Sequence, residues 1–315
     1  MEEFKQVSDK KCPVCGSIES EFFIQKYDDR FGQPDLFEYY YCNDCNVAFL
    51  GNKIQEDSLA ELYGKYYGKK DKPTAGPNKL GLILEKMGLD EMVVGWLAGN
   101  RFLLKYVKDN SKVLEVGPGY VPKLKKVASA KNLDWTGLEV DAALIAKLKK
   151  DNLNAIHGTI KLNDIKDKFD YIVSAQSLEH QYDVNDFFEN CKKRLKNNGR
   201  IIFSTPNFDS RYRKKYGARW INWHTPYHVT LLSKKGIASL CEKYGFVMTE
   251  FSTCTPTGWY LLQKNFKISE KGKPNEAFKF DFSAAKQLLY SILLRIYEFF
   301  DRRSGDCIYC EIKLK

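Results

Sequence analysis

The sequence predicts an α/β protein, a doubly wound sheet with a small metal-holding ribbon at its N-terminus. Three observations predict it. Val113-Leu114-Glu115-Val116-Gly117-Pro118-Gly119 reads as a buried strand that ends in a glycine turn, with an acid at the strand's tip. Roughly twenty residues later, Trp135-Thr136-Gly137-Leu138-Glu139-Val140-Asp141 reads as a second strand ending in acids. Far upstream, Cys12-Pro13-Val14-Cys15 and Cys42-Asn43-Asp44-Cys45 form two C-x2-C knuckles.

The ribbon is expected over residues 1–56. Each knuckle turn lets two thiolates reach one ion, and four close a tetrahedral structural zinc site of Cys12, Cys15, Cys42 and Cys45. The segments 22–24 and 37–41 between them read as its strands. With four sulfurs on the ion no coordination position stays open, so zinc is expected to support folding and take no part in chemistry. The chain holds nine cysteines, an odd count with four in the knuckles, so no disulfide framework is expected. A helical linker or lid is expected over 57–108. It comprises an aromatic stretch with Leu62, Tyr63, Tyr66 and Tyr67, a charged loop at 69–79 and a helical pattern at 80–107.

The core is expected over 109–254. A dinucleotide site would want a third glycine where Val121 stands, and a turn free of negative charge to hold pyrophosphate. Glu115 repels a diphosphate but suits a cation. S-adenosylmethionine (SAM) carries a sulfonium and an ammonium and no phosphate. At the end of the second strand, Glu139 is placed to bond ribose hydroxyls. Asp141 reads as a helix N-cap, and both acids capping that helix is the competing reading. Pro122 suits a first helical turn. Helices are expected at 124–130, 142–150, 185–195 and 234–244, the last ended by Gly245. A sixth strand at 247–254 precedes a helical insertion, 255–305, and a final core strand lies within 306–315. The insertion helix, 283–300, carries a broad apolar face of Leu288, Leu289, Ile292, Leu293, Ile296, Tyr297 and Phe300. That face is expected to meet the domain or a second subunit, with a peripheral membrane contact through 283–303 as the alternative.

Over roughly residues 102–251, with the final strand, the chain resembles the class I SAM-dependent methyltransferases. Glu115–Gly119 matches their first motif and Gly137–Asp141 their second. Phe169-Asp170-Tyr171-Ile172-Val173, followed by Ser177-Leu178-Glu179-His180, matches the fourth strand. Asn198 to Asn207 matches the turn and fifth strand. The resemblance implies a Rossmann-like, seven-stranded sheet that binds SAM through Glu115, Gly117, Gly119 and Glu139. It implies Gln176 beside the methionine part. Thr159 stands where relatives place an acid near adenine, so that contact falls to backbone groups. The ribbon and the aromatic stretch resemble those of polysaccharide-associated methyltransferases, where an N-terminal segment folds over the cofactor; Tyr66 or Tyr67 then contacts SAM or simply packs.

Methyl transfer to a hydroxyl needs a base. The four histidines are His157, His180, His224 and His228. His180 follows the fourth strand, at the carboxyl end where ligands bind. His224 and His228 lie in an aromatic loop after the fifth strand, and His228 matches the histidine of a Pro-x-His-x4-Ser element in relatives that act on sugars. His228 or His180 is the expected base, with Glu179 a weaker partner; packing is the plain alternative for each. His157 reads as structural or as a neighbour of the cofactor.

The net charge of +10, from 50 basic and 40 acidic side chains, favours an anionic small-molecule or glycan substrate. Arg211, Arg213, Lys214, Lys215 and Arg219 are candidates to grip it. The expected activity is therefore O-methylation of a sugar, nucleotide-sugar or surface glycan. An RNA methyltransferase guided by the ribbon is the enzymatic alternative. It is disfavoured because Lys10 and Lys11 are balanced by Glu19, Glu21, Asp28, Asp29, Asp35 and Glu38. A SAM-binding scaffold is the non-enzymatic alternative, and the intact Glu115, Gly117, Gly119 and Glu139 argue against it. No apolar leader follows Met1 and no run spans a bilayer, so a cytoplasmic protein is expected, with a homodimer left open.

Overall fold

The computed structural model describes residues 4–67, 95–97, 99, 103–119, 124–161, 165–275, 277 and 282–315. The loop expected at 69–79, most of the helix at 80–107 and the helix opening at Pro122 lie outside them. In chain order the strands are β1 (Gln6–Ser8), β2 (Glu21–Tyr27), β3 (Leu36–Cys42), β4 (Val47–Leu50), β5 (Asn52–Ile54), β6 (Lys112–Val116), β7 (Asp134–Glu139), β8 (Asn154–His157), β9 (Phe169–Ala175), β10 (Leu195–Pro206), β11 (Thr230–Leu231), β12 (Phe246–Cys254) and β13 (Cys307–Leu314). The chain forms two compact units. One gathers Met1–Arg101, Pro206–Lys235 and Thr253–Cys307; the other gathers Phe102–Thr205, Gly236–Ser252 and Ile308–Lys315.

The second unit is built on a seven-stranded sheet of order β12-β13-β10-β9-β6-β7-β8. The middle strands pair in parallel, β10 with β9, β9 with β6, β6 with β7 and β7 with β8. Val113, Leu114, Ile172, Val173, Ile201 and Phe203 are wholly buried, which is why these strands read as apolar runs without alternation. The chain winds outward from β6 through β7 to β8, then returns to β9 on the other side of β6. That reversal opens a crevice beyond the carboxyl ends of β6 and β9. This is the Rossmann-like, seven-stranded α/β fold expected of the sequence.

The helices follow from local signals. Asp141 caps Ala142–Lys150, accepting from the N–H groups of Ala143 (2.7 Å) and Leu144 (3.2 Å), while Lys147, Lys149 and Lys150 suit its negative end. Val184–Arg194 begins one residue earlier than expected because Asp183 is its cap. Lys234–Tyr244 stops at Gly245, whose φ of +75° is the left-handed conformation glycine takes after a helix.

The first unit holds an antiparallel sheet of order β11-β4-β3-β2, with β1 paired to β5. Its core joins Phe37, Tyr39, Ala48 and Leu50 of the ribbon to Phe208, Trp220, Trp223, Tyr227 and Leu231 from the segment after β10. The ribbon is therefore sealed by a distant part of the chain. The insertion helix, Ala284–Phe300, capped by Ser283, buries a face of Ser291, Leu294, Arg295 and Glu298. Its apolar residues Leu289, Ile292, Leu293, Ile296, Phe299 and Phe300 are exposed, up to 83 % at Phe300. The polar face is buried because its charged and hydroxyl groups find partners there. Arg295 donates to the carbonyls of Trp96 and Thr255, both at 2.8 Å, and pairs with Glu298 at 2.8 Å. Ser291 and Thr257 share a hydroxyl bond of 2.8 Å.

Candidate functional site

In the second unit the glycine turn and both acids meet at the crevice. Gly117 has φ +65°, and a Cβ there would lie 2.7 Å from Ser177, so only glycine fits. Ser177 in turn donates its hydroxyl proton to the Val116 carbonyl at 2.9 Å, fastening the turn after β9 to the end of β6. Gly119 has φ +56° and open space where its Cβ would stand. Its N–H donates to Glu139 Oε2 at 3.2 Å, and the other carboxylate oxygen accepts from Val140 and Asp141 at 2.8 and 3.2 Å. Three donors thus aim a buried carboxylate at the turn and leave it capacity for a further hydroxyl. Glu139 and Asp141 divide the two tasks between them: Asp141 caps the helix, and Glu139 faces the turn.

Glu115 is deeper than a strand tip. It is paired in register with Gly137 of β7, 4 % exposed, and accepts from Trp135 Nε1 at 2.8 Å. Burial pushes its carboxyl up to about 7, against the pull of that bond. A cation brought near it would restore its charge. Gln176 holds φ +53° at the end of β9, a conformation a side-chain-bearing residue adopts at a cost, and its N–H donates to the Ser204 carbonyl at 2.9 Å. Glu179 is buried and accepts from Thr205 Oγ1 at 2.9 Å. His180 is half-buried in the short helical turn Leu178–His180. Thr159 is exposed, its hydroxyl accepting from Lys161 N–H. His157 bonds the Val140 carbonyl at 3.0 Å. The open Gly119, the aimed Glu139 and the buried Glu115 fit a cationic adenosine ligand without phosphate.

In the first unit the ligand atoms of Cys12, Cys15, Cys42 and Cys45 lie within 4.8 Å of one another. Cys15 and Cys42 sulfurs are 3.8 Å apart, the edge of a tetrahedron with bonds of about 2.3 Å to a central ion. Three of the four residues are buried, and all are free thiols. This donor set could hold zinc.

The loop after β10 turns sharply at His224, whose φ of +41° is left-handed. Tyr227 and His228 N–H groups both donate to the His224 carbonyl, at 2.8 and 3.1 Å. The two imidazoles are thereby stacked edge to face, with centroids 4.7 Å apart. His224 Nδ1 lies 3.2 Å from His228 Nε2, and His228 Nδ1 lies 2.8 Å from the Asn222 carbonyl. Tyr67 stacks on His224 at 5.8 Å, and Phe31 and Tyr227 flank it. Tyr39 Oη, from β3, lies 2.8 Å from the His228 carbonyl and 3.1 Å from that of Trp223. Asp306 accepts from Ser210 Oγ (2.6 Å), Trp220 Nε1 (2.7 Å) and Asn222 Nδ2 (3.2 Å); burial nevertheless lifts its carboxyl to about 6. The sequence reading missed Tyr39, Asn222 and Asp306. Nothing local marks them, since their partners lie as many as 189 positions away.

The basic cluster is split. Arg211 sits over the Tyr297 ring at 3.2 Å and Arg213 over Phe208 at 4.1 Å, whereas Lys214, Lys215 and Arg219 are exposed. Of the six acids set against Lys10 and Lys11, Asp28, Asp29 and Asp35 are buried, so the ribbon's surface balance rests on Glu19, Glu21 and Glu38. Among the described residues no helix is long and apolar enough to cross a membrane.

Residues 96–250 match the family described as a methyltransferase domain. No curated protein matches the chain significantly. Among solved structures the chain is similar to a SAM-dependent methyltransferase of Thermotoga maritima described as a possible histamine N-methyltransferase. That likeness has 16% identity, 75% of this chain and 100% of that one covered, and TM-score 0.44. It is also similar to the O-methyltransferase of a trans-AT PKS multienzyme of Brevibacillus brevis, solved with S-adenosyl-L-homocysteine, at 14% identity, 77% of each chain and TM-score 0.45. Neither substrate nor partner carries across at such levels. The matched domain, lying on the seven-stranded sheet with its glycine turn and acid-tipped strands, supports a SAM-dependent methyltransferase.

Proposed function

We propose that this methyltransferase O-methylates a sugar, a nucleotide-sugar or a surface glycan, with a histidine as general base and a structural zinc in the four-cysteine ribbon. The observation that carries the reading is the buried His224–His228 turn, walled by Tyr67, Tyr227 and Phe31. Aromatic faces with polar rims suit the mixed apolar and hydroxyl surface of a sugar, and an imidazole suits removal of a hydroxyl proton. His228 and His180 are the candidates the sequence offers for that base, with Glu179 as a partner. SAM, when bound, supplies an electrophilic methyl group on a sulfonium. For the chain's own part, Glu139 is proposed to hold the ribose hydroxyls and Glu115 to favour the cation. Gly117 and Gly119 would let the backbone approach, while Gln176 and Thr159 border the ligand. Exposed Lys214, Lys215 and Arg219 support an anionic acceptor, and Lys10 and Lys11 of the ribbon stand against Glu19, Glu21 and Glu38, which disfavours nucleic acid.

The test is transfer of a labelled methyl group from SAM to two pools: total RNA, and nucleotide-sugars with surface-glycan extract from the source organism. Label in the second pool is the expected result. Label confined to RNA overturns the substrate assignment while leaving the enzyme class intact.

A further inference from the structure

The insertion helix turns its apolar side to solvent. Leu289, Ile292, Leu293, Ile296, Phe299 and Phe300 recur three or four residues apart, so they share one face of Ala284–Phe300, and each is between 44 % and 83 % exposed. The opposite face is fixed inward. The Arg295–Glu298 pair, the Arg295 bonds to the Trp96 and Thr255 carbonyls and the Ser291–Thr257 bond all hold it there. Rolling the helix to hide the stripe would break these contacts and leave buried charges without partners, so the outward stripe is built into the unit. Apolar residues gathered on one exposed face, and not scattered singly, mark a surface that meets something apolar.

The charges beside the stripe indicate its occupant. Lys286 is exposed at the N-terminal end of the helix, and Arg302 and Arg303 are exposed just past its C-terminal end. Lys264, from the preceding helix Thr257–Asn265, stands over the Tyr290 ring at 3.8 Å. Thr253 and Asn207 donate to the carbonyls of Arg302 (2.9 Å) and Arg303 (3.3 Å), and Arg302 lies over the Phe299 ring at 5.6 Å, so these cations flank the stripe at fixed places. The single acid of the helix, Glu298, is buried against Arg295, and Asp301 is taken up by its own turn, accepting from Arg303 N–H and the Ser304 hydroxyl. A second copy suits this surface poorly. In a twofold pairing, with the helices parallel or antiparallel, the lysine and the two arginines would face cations at both ends. A bilayer with anionic headgroups meets both features at once, being apolar within and negative at its rim. We propose that the stripe lies in the surface of an anionic lipid bilayer, its apolar side chains among the upper acyl chains and Lys264, Lys286, Arg302 and Arg303 at the phosphates.

The test is flotation of the full chain with lipid vesicles, a readout separate from methyl transfer. Vesicles of phosphatidylcholine alone are compared with vesicles in which about one lipid in three is phosphatidylglycerol. The protein should float with the anionic vesicles and bind the neutral ones at least about tenfold more weakly. Phe299→Ser combined with Phe300→Ser should weaken binding to the anionic vesicles at least about tenfold, as should Arg302→Glu combined with Arg303→Glu. Both changes lie on the exposed side, so the urea midpoint should stay that of the parent; if the serine pair shifts it, Leu293→Ser supplies the apolar reading instead. Three outcomes overturn the proposal. One is failure to float with either vesicle. Another is binding that falls with the charge reversal but not with the apolar substitutions, which is mere adsorption of a chain of net charge +10. The third is a dimer, seen by sedimentation without lipid, that the serine pair dissolves while no vesicle is bound; a second copy is then the occupant.

Discussion

Glu115 links burial to stability and, in its proposed role, to binding. Its folded-state carboxyl, at about 7 against an ordinary 4.5, holds its proton more tightly than a free glutamate does. The stability it contributes is therefore complete below about pH 4.5 and is lost as pH rises toward 7. Glu115→Gln keeps an acceptor for Trp135 but removes the charge. It should raise stability above pH 7 by about 1–3 kcal/mol and flatten the fall in urea midpoint between pH 5 and 8. Under its proposed role the same change should weaken SAM binding at least about tenfold, because the ionised carboxyl is what a sulfonium or ammonium would meet. Parent protein should correspondingly release part of a proton on binding SAM near pH 7, read by calorimetry in buffers of different ionisation enthalpy. Unchanged affinity in the glutamine variant would remove Glu115 from the site. At Gly117 the constraint is steric. Gly117→Ala should cost about 1–3 kcal/mol, since φ is positive and Ser177 lies 2.7 Å from the new methyl, and should abolish SAM binding in the same titration.

At the scale of elements, the ribbon and the insertion helix make opposite demands. Four sulfurs within 4.8 Å could hold an ion. Purified protein should carry close to one zinc per chain, and Cys42→Ser should lose it. Strong chelation should melt the ribbon, with loss of ellipticity and new proteolytic cuts within residues 1–56, because metal binding and folding of such a site are one process. A metal-free protein with the same melting curve would remove zinc from its proposed role. The helix Ala284–Phe300 is held instead by polar atoms. Arg295→Met leaves Glu298 buried without its cation and should cost about 3–5 kcal/mol in urea unfolding. Phe300→Ser, on the 83 % exposed side, should change stability by less than about 0.5 kcal/mol. The sequence reading identified this helix and its apolar stripe correctly. It could not see that a buried ion pair would take the inward side, since periodicity reports a stripe and not which way the stripe turns.

For the whole molecule, buried acids set a common trend. Asp28 and Asp306 are lifted to about 6, and Asp29 to about 7, chiefly by burial. All three lie with the ribbon and the histidine loop in the first unit, so its stability should decline between pH 5 and 7.5 where zinc is kept saturating. Denaturant titrations followed by tryptophan emission, to which buried Trp220 and Trp223 report, would read it. A rise over that interval would mean that other groups outweigh these acids.

What the sequence determined by itself is whatever depends on neighbours along the chain. Strand after strand of the sheet, the glycine turn at 117–119, the Asp141 cap and the two cysteine knuckles were legible because hydrophobic period, φ preference and ligand spacing are local properties. Most of the proposed cofactor residues were named on those grounds. The tertiary structure alone decided that β11 closes the ribbon sheet against β4, and that Pro206–Lys235 and Thr253–Cys307 fold into one unit with the N-terminal segment. It also decided that Asp306 and Tyr39 fix the turn in which His224 and His228 meet. Those contacts join residues 84 to 189 positions apart, and no periodicity carries information over such distances. They exist only once chain closure has brought buried polar groups together, where each must find a partner or lose the free energy of its hydration.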